Sequence, residues 1–276
     1  MKTLYLTDLD GTLLRDDEQV SPFSVSVLNR AIEQGILFSV ATARSLIGLN
    51  MLPLGGIRFR TPMVLMNGVM LYDYAQKRIL QRCEMDGDTV AAILRLCAEE
   101  GKTPFLYHAA GDEVHAQFTV LTSEGERRFY KSRSARFSHL FHPVERYADG
   151  PAVYFSMQDS HGRLARLQRR LTALPAVAST LYKDNYMEDN WYLEIFSAEA
   201  GKDKGAKRLQ ALTGADRLVA FGDNLNDLPL FACADTACCV ASGREAAREA
   251  ADVLIGGNNE DGVARYMAAL LEGEDT

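Results

Sequence analysis

Leu4-Tyr5-Leu6-Thr7-Asp8-Leu9-Asp10-Gly11-Thr12 is the stretch on which the fold turns, because an apolar run ends there in two carboxylates and a glycine. The apolar part reads as a buried strand, which places Asp8 and Asp10 at its end. Carboxylates spaced this closely repel one another beside a core unless a cation or a shared proton relieves them. Gly11 permits a sharp turn. A strand followed by an ordinary Asp/Gly turn is the simpler alternative, and the rest of the chain has to decide.

Downstream, Ser21-Pro22 is a helix start, with Ser as cap and Pro at the first helical position. Val25, Leu28 and Ile32 recur at helical spacing, and Gly35 supplies the stop. Ile36 to Ala41 reads as a fully buried strand ending at Thr42-Ala43-Arg44, and Met63 to Met66 as another ending at Asn67-Gly68. The last third repeats the pattern: Ala206, Leu209 and Leu212 suggest a helix, and Leu218 to Phe221 a strand ending in Gly222-Asp223-Asn224-Leu225-Asn226-Asp227. Short strands follow around Cys238 to Val240 and Val253 to Ile255. Alternating strands and helices predict an α/β core, a parallel sheet with helices on both faces. Its ligand site is expected at the carboxyl ends of the strands, where the polar residues gather.

The middle of the chain differs. Shorter strand-like runs (Phe105 to Tyr107, Val114 to Val120, Val153 to Met157) are joined by turns and two amphipathic helices, one carrying Val90, Ile93, Leu94 and Cys97, the other Leu164, Leu167, Leu171 and Leu174. The expected organisation is a core of residues 1–82 and 196–276 with an inserted α+β domain at 83–195. The acidic tail, Glu272 to Thr276, is expected to fray.

Composition narrows the function. The chain has 276 residues, 47% of them hydrophobic, which is enough for a large domain or two ordinary ones. A net charge of -7 disfavours a nucleic-acid binder, whose phosphate contacts need clustered Lys and Arg. The five cysteines form no C-x-x-C pair and no disulfide framework, as in a reduced cytoplasmic protein. No apolar run approaches the length of a membrane span.

Asp8-Leu9-Asp10-Gly11-Thr12, Thr42 after a strand, Lys204 in Lys202-Asp203-Lys204-Gly205, and Gly222 to Asp227 form an ordered set. That set resembles the haloacid dehalogenase superfamily of phosphatases, and more narrowly its Cof-like branch, subclass IIB, in which a large α+β cap lies between the second and third motifs. Pro62 through Asn67-Gly68, Glu194-Ile195 and Glu260-Asp261-Gly262-Val263 add to the match. Val240-Ala241-Ser242-Gly243-Arg244 departs from it, standing where the family more often has a Met-Gly-Asn-Ala type of segment.

The resemblance implies a Rossmann-like core with an inserted cap, and a phosphatase of small phosphorylated metabolites, sugar phosphates among them. Asp8 would be the nucleophile that forms an aspartyl-phosphate, and Asp10 the acid and then the base. Mg²⁺ would be held by Asp8, the carbonyl of Asp10 and Asp223, with Asp227 behind them orienting a metal water or pairing with Lys204. Thr42, the backbone of Leu9 and Ala43, Lys204 and Asn226 would bind phosphate, and the cap would close over the site and choose the substrate. Neither nucleic acid nor membrane is an expected partner. Two alternatives use the same site: a phosphotransferase or mutase that passes the phosphoryl group to a sugar hydroxyl, and a non-catalytic phosphometabolite sensor. A Rossmann-type redox protein is set aside because no Gly-x-Gly-x-x-Gly turn follows the first strand.

Several residues keep a plainer alternative. Asp223 and Asp227 could be a helix cap and a first-turn acid, and Thr42 could be a cap. Lys202 competes with Lys204, which the spacing before Gly205 favours. Arg44 could touch substrate or sit exposed at a helix start. His139 and His142 could share a helix face, although no third metal ligand is evident. The basic cluster Arg127, Arg128, Lys131, Arg133 and Arg136 reads as a solvated surface or a grip on an anion. Alternation sends Cys238 and Cys239 to opposite faces, and Trp191 and Tyr192 are read as packing residues.

Overall fold

The computed structural model describes residues 1–273 other than 185, 186 and 188. Residues 274–276 of the acidic tail lie outside the described residues. The chain divides into two compact units, Met1–Gln81 with Gly201–Thr276, and Arg82–Ala200.

The first unit is built on a five-stranded parallel sheet in the order Val253–Ile255, Thr236–Val240, Arg217–Gly222, Thr3–Thr7, Leu37–Val40. The strand from the amino end of the chain lies between one that follows it closely and one more than two hundred residues away. Leu4 faces Leu37 on one side and Leu218 on the other, and Thr7 pairs with Val40 and Phe221. Both neighbours run parallel to Thr3–Thr7, so their carboxyl ends finish at one edge of the sheet.

Helices cover both faces. On one, Lys202–Thr213 and Leu228–Cys233 bury Ala206, Leu209, Leu230 and Phe231 against Leu4, Leu6, Leu218 and Ala220. On the other, Tyr266 of helix Gly262–Glu272 meets Phe221 edge-on at 5.1 Å. Helix Pro22–Glu33 starts where the sequence indicates, with the Ser21 hydroxyl accepting from the N–H of Ser24. Leu212 departs from the expected pattern and is exposed, because the buried stripe of its helix runs through Lys202, Gly205, Ala206 and Leu209. Two further strands, Met70–Asp73 and Arg78–Arg82, join Met63–Leu65 in a small three-stranded sheet, Met70–Asp73 running antiparallel to Met63–Leu65.

The inserted unit carries a six-stranded sheet in the order Val177–Lys183, Trp191–Ser197, Tyr154–Asp159, Phe105–Ala110, Glu113–Phe118, Phe141–Pro143. Helices Gly87–Glu99 and His161–Leu171 bury Val90, Ile93, Cys97, Leu164, Leu167 and Leu171 on one face; Leu174 lies past the helix end. The expected return to the core at residue 196 falls inside strand Trp191–Ser197, whose pairing with Tyr154–Asp159 keeps it in the inserted unit. The division falls instead after Ala200.

A third helix, Glu124–Phe137, crosses the other face of this sheet, where Phe129 packs on Phe105 with ring centroids 5.1 Å apart. It holds the basic cluster, in which Arg127 pairs with Glu124, and Arg133 stacks over the Phe129 ring. His139 and His142 do not share a helix face. The first lies in a 3-10 turn and the second in strand Phe141–Pro143, where its Nε2 is 2.9 Å from Nδ1 of His115. Tyr192 stacks on Tyr182, and Trp191 packs against His161.

Candidate active site

Sheet register builds the site. Thr7 lies opposite Phe221 in parallel strands, and the N–H of Asp8 donates to the carbonyl of Phe221 at 2.9 Å. The next residues along each chain therefore leave the sheet side by side. Asp8, Asp223 and Asp227 bring carboxylate oxygens within 4.8 Å of one another.

The turn after Asp8 requires glycine. Gly11 has φ +77, and a Cβ there would fall 2.6 Å from Oδ2 of Asp223. Thr12 is buried and donates its hydroxyl to Oδ1 of Asp223 at 3.1 Å. The Val240–Arg244 segment contributes from beneath, since the N–H of Arg244 donates to the carbonyl of Asp223 at 2.7 Å. The departure from the family pattern thus lies in a loop that holds a site residue by its backbone.

Lys202 is the site cation. Its Nζ donates to Oδ1 of Asp8 at 2.8 Å and to Oδ1 of Asp227 at 2.6 Å, and its side chain is 1% exposed. Lys204, favoured by spacing, is exposed. The physical reason is helical: residues two apart point about 200° from one another, so only one of the two can face the sheet edge. Burial alone would lower the Lys202 ammonium, but Asp227 and Asp8 overcome it and hold the group above its usual range.

Asp227 combines a cap with a lysine contact, to Lys202 and not to the expected Lys204. Its Oδ2 accepts from the N–H groups of Asp223 and Asn224, each at 3.1 Å, closing a capping box, while Oδ1 faces Lys202. Asn226 is half-buried in the same short turn. Thr42 is buried, and its oxygen accepts from the N–H of Arg44 at 3.1 Å, which leaves the hydroxyl proton for another acceptor. No acceptor for the N–H of Leu9 or Ala43 stands among the hydrogen bonds of the described residues. Arg44 is neither exposed nor loose: its guanidinium grips Asp10 through both carboxylate oxygens and also reaches Glu18. That contact joins residues far apart in the chain, and nothing in their local sequence announces it.

The charges are unbalanced. Burial raises Asp8 well above the usual carboxylate range, against the pull of Lys202 and with the repulsion of Asp227, Asp223 and Asp10 added. Burial and then Asp227 push Asp223 up to about 7. Three carboxylates facing one ammonium make an all-oxygen donor set with excess negative charge, which suits a hard divalent cation. Asp227 is already engaged through both oxygens, so Asp8 and Asp223 are the carboxylates placed to hold one.

Comparison with known proteins points to one family. The family model of haloacid dehalogenase-like hydrolases matches residues 5–267. The chain is 26% identical over 272 residues to a pyridoxal phosphate phosphatase of Escherichia coli, covering 96% of this chain and 97% of the relative. A haloacid dehalogenase-like hydrolase from Bacteroides thetaiotaomicron superimposes with a TM-score of 0.78 at 19% identity, over 98% of this chain and all of that one. A subclass IIB sugar phosphatase does so with a TM-score of 0.73 at 17% identity, over 98% of this chain and 99% of that one.

Proposed function

This chain belongs to the haloacid dehalogenase-like hydrolases, and from that premise we propose that it is a Mg²⁺-dependent phosphatase of small phosphorylated metabolites, working through a phosphorylated Asp8. The observation that carries the reading is the contact of Lys202 with Asp8 at a buried strand end, with Asp223 alongside. A carboxylate attacks a phosphate dianion only where positive charge offsets the repulsion. Lys202 supplies one charge. Bound Mg²⁺, held by Asp8, the carbonyl of Asp10 and Asp223, would supply the remaining neutralisation of the phosphoryl oxygens.

The chain's own groups account for the other parts of the reaction. Asp8 offers the attacking oxygen and is held in place by Lys202. The Thr42 hydroxyl, the N–H groups of Leu9 and Ala43 and the Asn226 amide are donors for phosphoryl oxygens. Asp10, two residues from the nucleophile, gives its proton to the departing oxygen and then takes one from the water that releases phosphate. Splitting one displacement into two restores that proton within each turnover. Choice of leaving group is assigned to the inserted unit. The pyridoxal phosphate phosphatase and sugar phosphatase names of similar proteins support alkyl phosphomonoesters as the substrate class.

Release of inorganic phosphate from a panel of phosphorylated metabolites, with Mg²⁺ and with chelator, tests the reading, with Asp8→Asn as the blank. Metal-dependent release by the wild type and none by the blank is expected. Release by Asp8→Asn at the wild-type rate would overturn it.

A further inference from the structure

Asp10 is held by a device of two further residues. Arg44 donates Nε–H to Oδ2 of Asp10 at 2.7 Å and Nη2–H to Oδ1, so its fork grips the whole carboxylate. The same Nη2 reaches Oε1 of Glu18 at 2.5 Å. The Arg44 side chain is 17% exposed and Glu18 43%.

Glu18 is placed there by construction. It sits at φ +59, a left-handed conformation unfavourable for a residue with a Cβ. Its turn is closed by Glu18 N–H to the carbonyl of Arg15 and Arg15 N–H to that of Gln19, at 2.9 and 3.0 Å. The turn is also pinned from outside, by Arg15 on Asp261 and by Asn258 on Asp16 and the carbonyl of Leu14. A strained residue at the end of a doubly anchored turn, aimed at an arginine that holds the proposed acid, calls for a role.

We propose that Glu18 is a positioning residue: it fixes the Arg44 fork, and through it the orientation of the Asp10 carboxyl for proton transfer. The inference rests on the phosphatase reading and deepens it. Planar guanidinium–carboxylate pairing sets the plane of Asp10 in a way a point charge does not. Each carboxyl oxygen keeps a second lone-pair site, so the edge turned from Arg44 is the one left to face the leaving oxygen. In the first half-reaction the bond from phosphorus to the leaving oxygen breaks as the bond from phosphorus to Asp8 forms, and the proton of Asp10 passes to the leaving oxygen. No further reactant enters. Glu18 acts only on the geometry of that proton transfer.

Leaving-group dependence separates this role from a general structural one. An alkoxide needs a proton as it departs, whereas p-nitrophenolate leaves without one. The ratio kcat/KM covers steps only up to the phosphorylated Asp8, so the later use of Asp10 as base does not enter it. Glu18→Ala and Glu18→Gln would be compared with the wild type on p-nitrophenyl phosphate and on the alkyl phosphate that the wild type turns over fastest. For Glu18→Ala the alkyl ester is expected to lose roughly 30-fold and p-nitrophenyl phosphate less than about 3-fold, mainly in kcat, with Glu18→Gln between it and the wild type. Arg44→Lys, which keeps the charge and loses the fork, should show the same asymmetry. Equal losses on both esters, or no loss on the alkyl one, would overturn the inference. A wild type that releases phosphate from neither ester would instead overturn the phosphatase reading beneath it.

Discussion

Lys202 stands between Asp8 and Asp227, 2.8 Å from one carboxylate and 2.6 Å from the other, while Lys204 on the same helix is exposed. Lys202→Met removes the only ammonium facing the cluster among the described residues, and kcat/KM for phosphate release should fall at least about 100-fold. Lys204→Met should stay within about twofold of wild type. Steady-state phosphate release by the two purified variants checks both, and the reverse order would reassign the site cation.

The raised carboxyls give metal-free stability a definite slope. Asp223, held near about 7 first by burial and then by Asp227, keeps its proton in the folded state after the unfolded chain has lost it. The stabilising effect of that proton is complete below the unfolded value near 4, and it is lost as pH rises through about 7; Asp8 shifts in the same direction. In chelator, thermal midpoints should fall between about pH 5 and about pH 8, and Asp223→Asn should flatten the decline. On the proposed reading Mg²⁺ would compete with that proton, so the rise in midpoint it confers should grow with pH. A midpoint that rises over this window, unchanged by Asp223→Asn, would contradict the assignment.

Two glycines with positive φ should respond differently to alanine. Gly68 has φ +84, and a Cβ there would fall 1.9 Å from the carbonyl oxygen of Gly201, a backbone atom that cannot swing aside. Gly214 has φ +65, and its added Cβ would meet nothing within 4 Å. Gly68→Ala should cost about 3 kcal/mol or more in urea unfolding, and Gly214→Ala only about 1 kcal/mol. Similar costs would mean that the contact relaxes.

In the inserted unit, Lys102 is buried with its Nζ 2.7 Å from the Thr122 hydroxyl, 3.0 Å from Asp159 and 3.2 Å from Glu126. Glu126 is itself fully buried and caps the start of helix Glu124–Phe137. Lys102→Met leaves that carboxylate without its counter-charge and should destabilise the unit by about 3–5 kcal/mol, with part recovered by adding Glu126→Gln. Circular dichroism during denaturant titration measures it; a loss below about 1 kcal/mol would mean that water reaches the network.

Strands of the core were legible because their apolar runs are continuous and end in Asp, Asn or Gly, as at Leu4 to Asp8 and Leu218 to Asp223. The choice between Lys202 and Lys204 was legible in principle. Lys202, Gly205, Ala206 and Leu209 repeat at helical spacing and mark the buried face, which Lys204 does not share. Spacing to a single glycine carried no such information. Helix Glu124–Phe137 escaped notice because its many charges hide any apolar stripe, although Ser123 followed by Glu126 is a capping-box signature. The Glu18–Arg44–Asp10 contact had no local signal, since it depends on where a turn and a strand end meet in space.

The pairing of Thr3–Thr7 with Arg217–Gly222 also bears on the order in which the protein is made. On a ribosome adding about 5–20 residues each second, the first strand emerges roughly 10–40 s before its neighbour exists. Arg82–Ala200, whose six-stranded sheet is drawn from residues 105–197, is complete within that interval. The nascent chain can therefore finish its insertion while Asp8 still lacks Lys202 and Asp223, and the carboxylate cluster is assembled only once the last third has been translated.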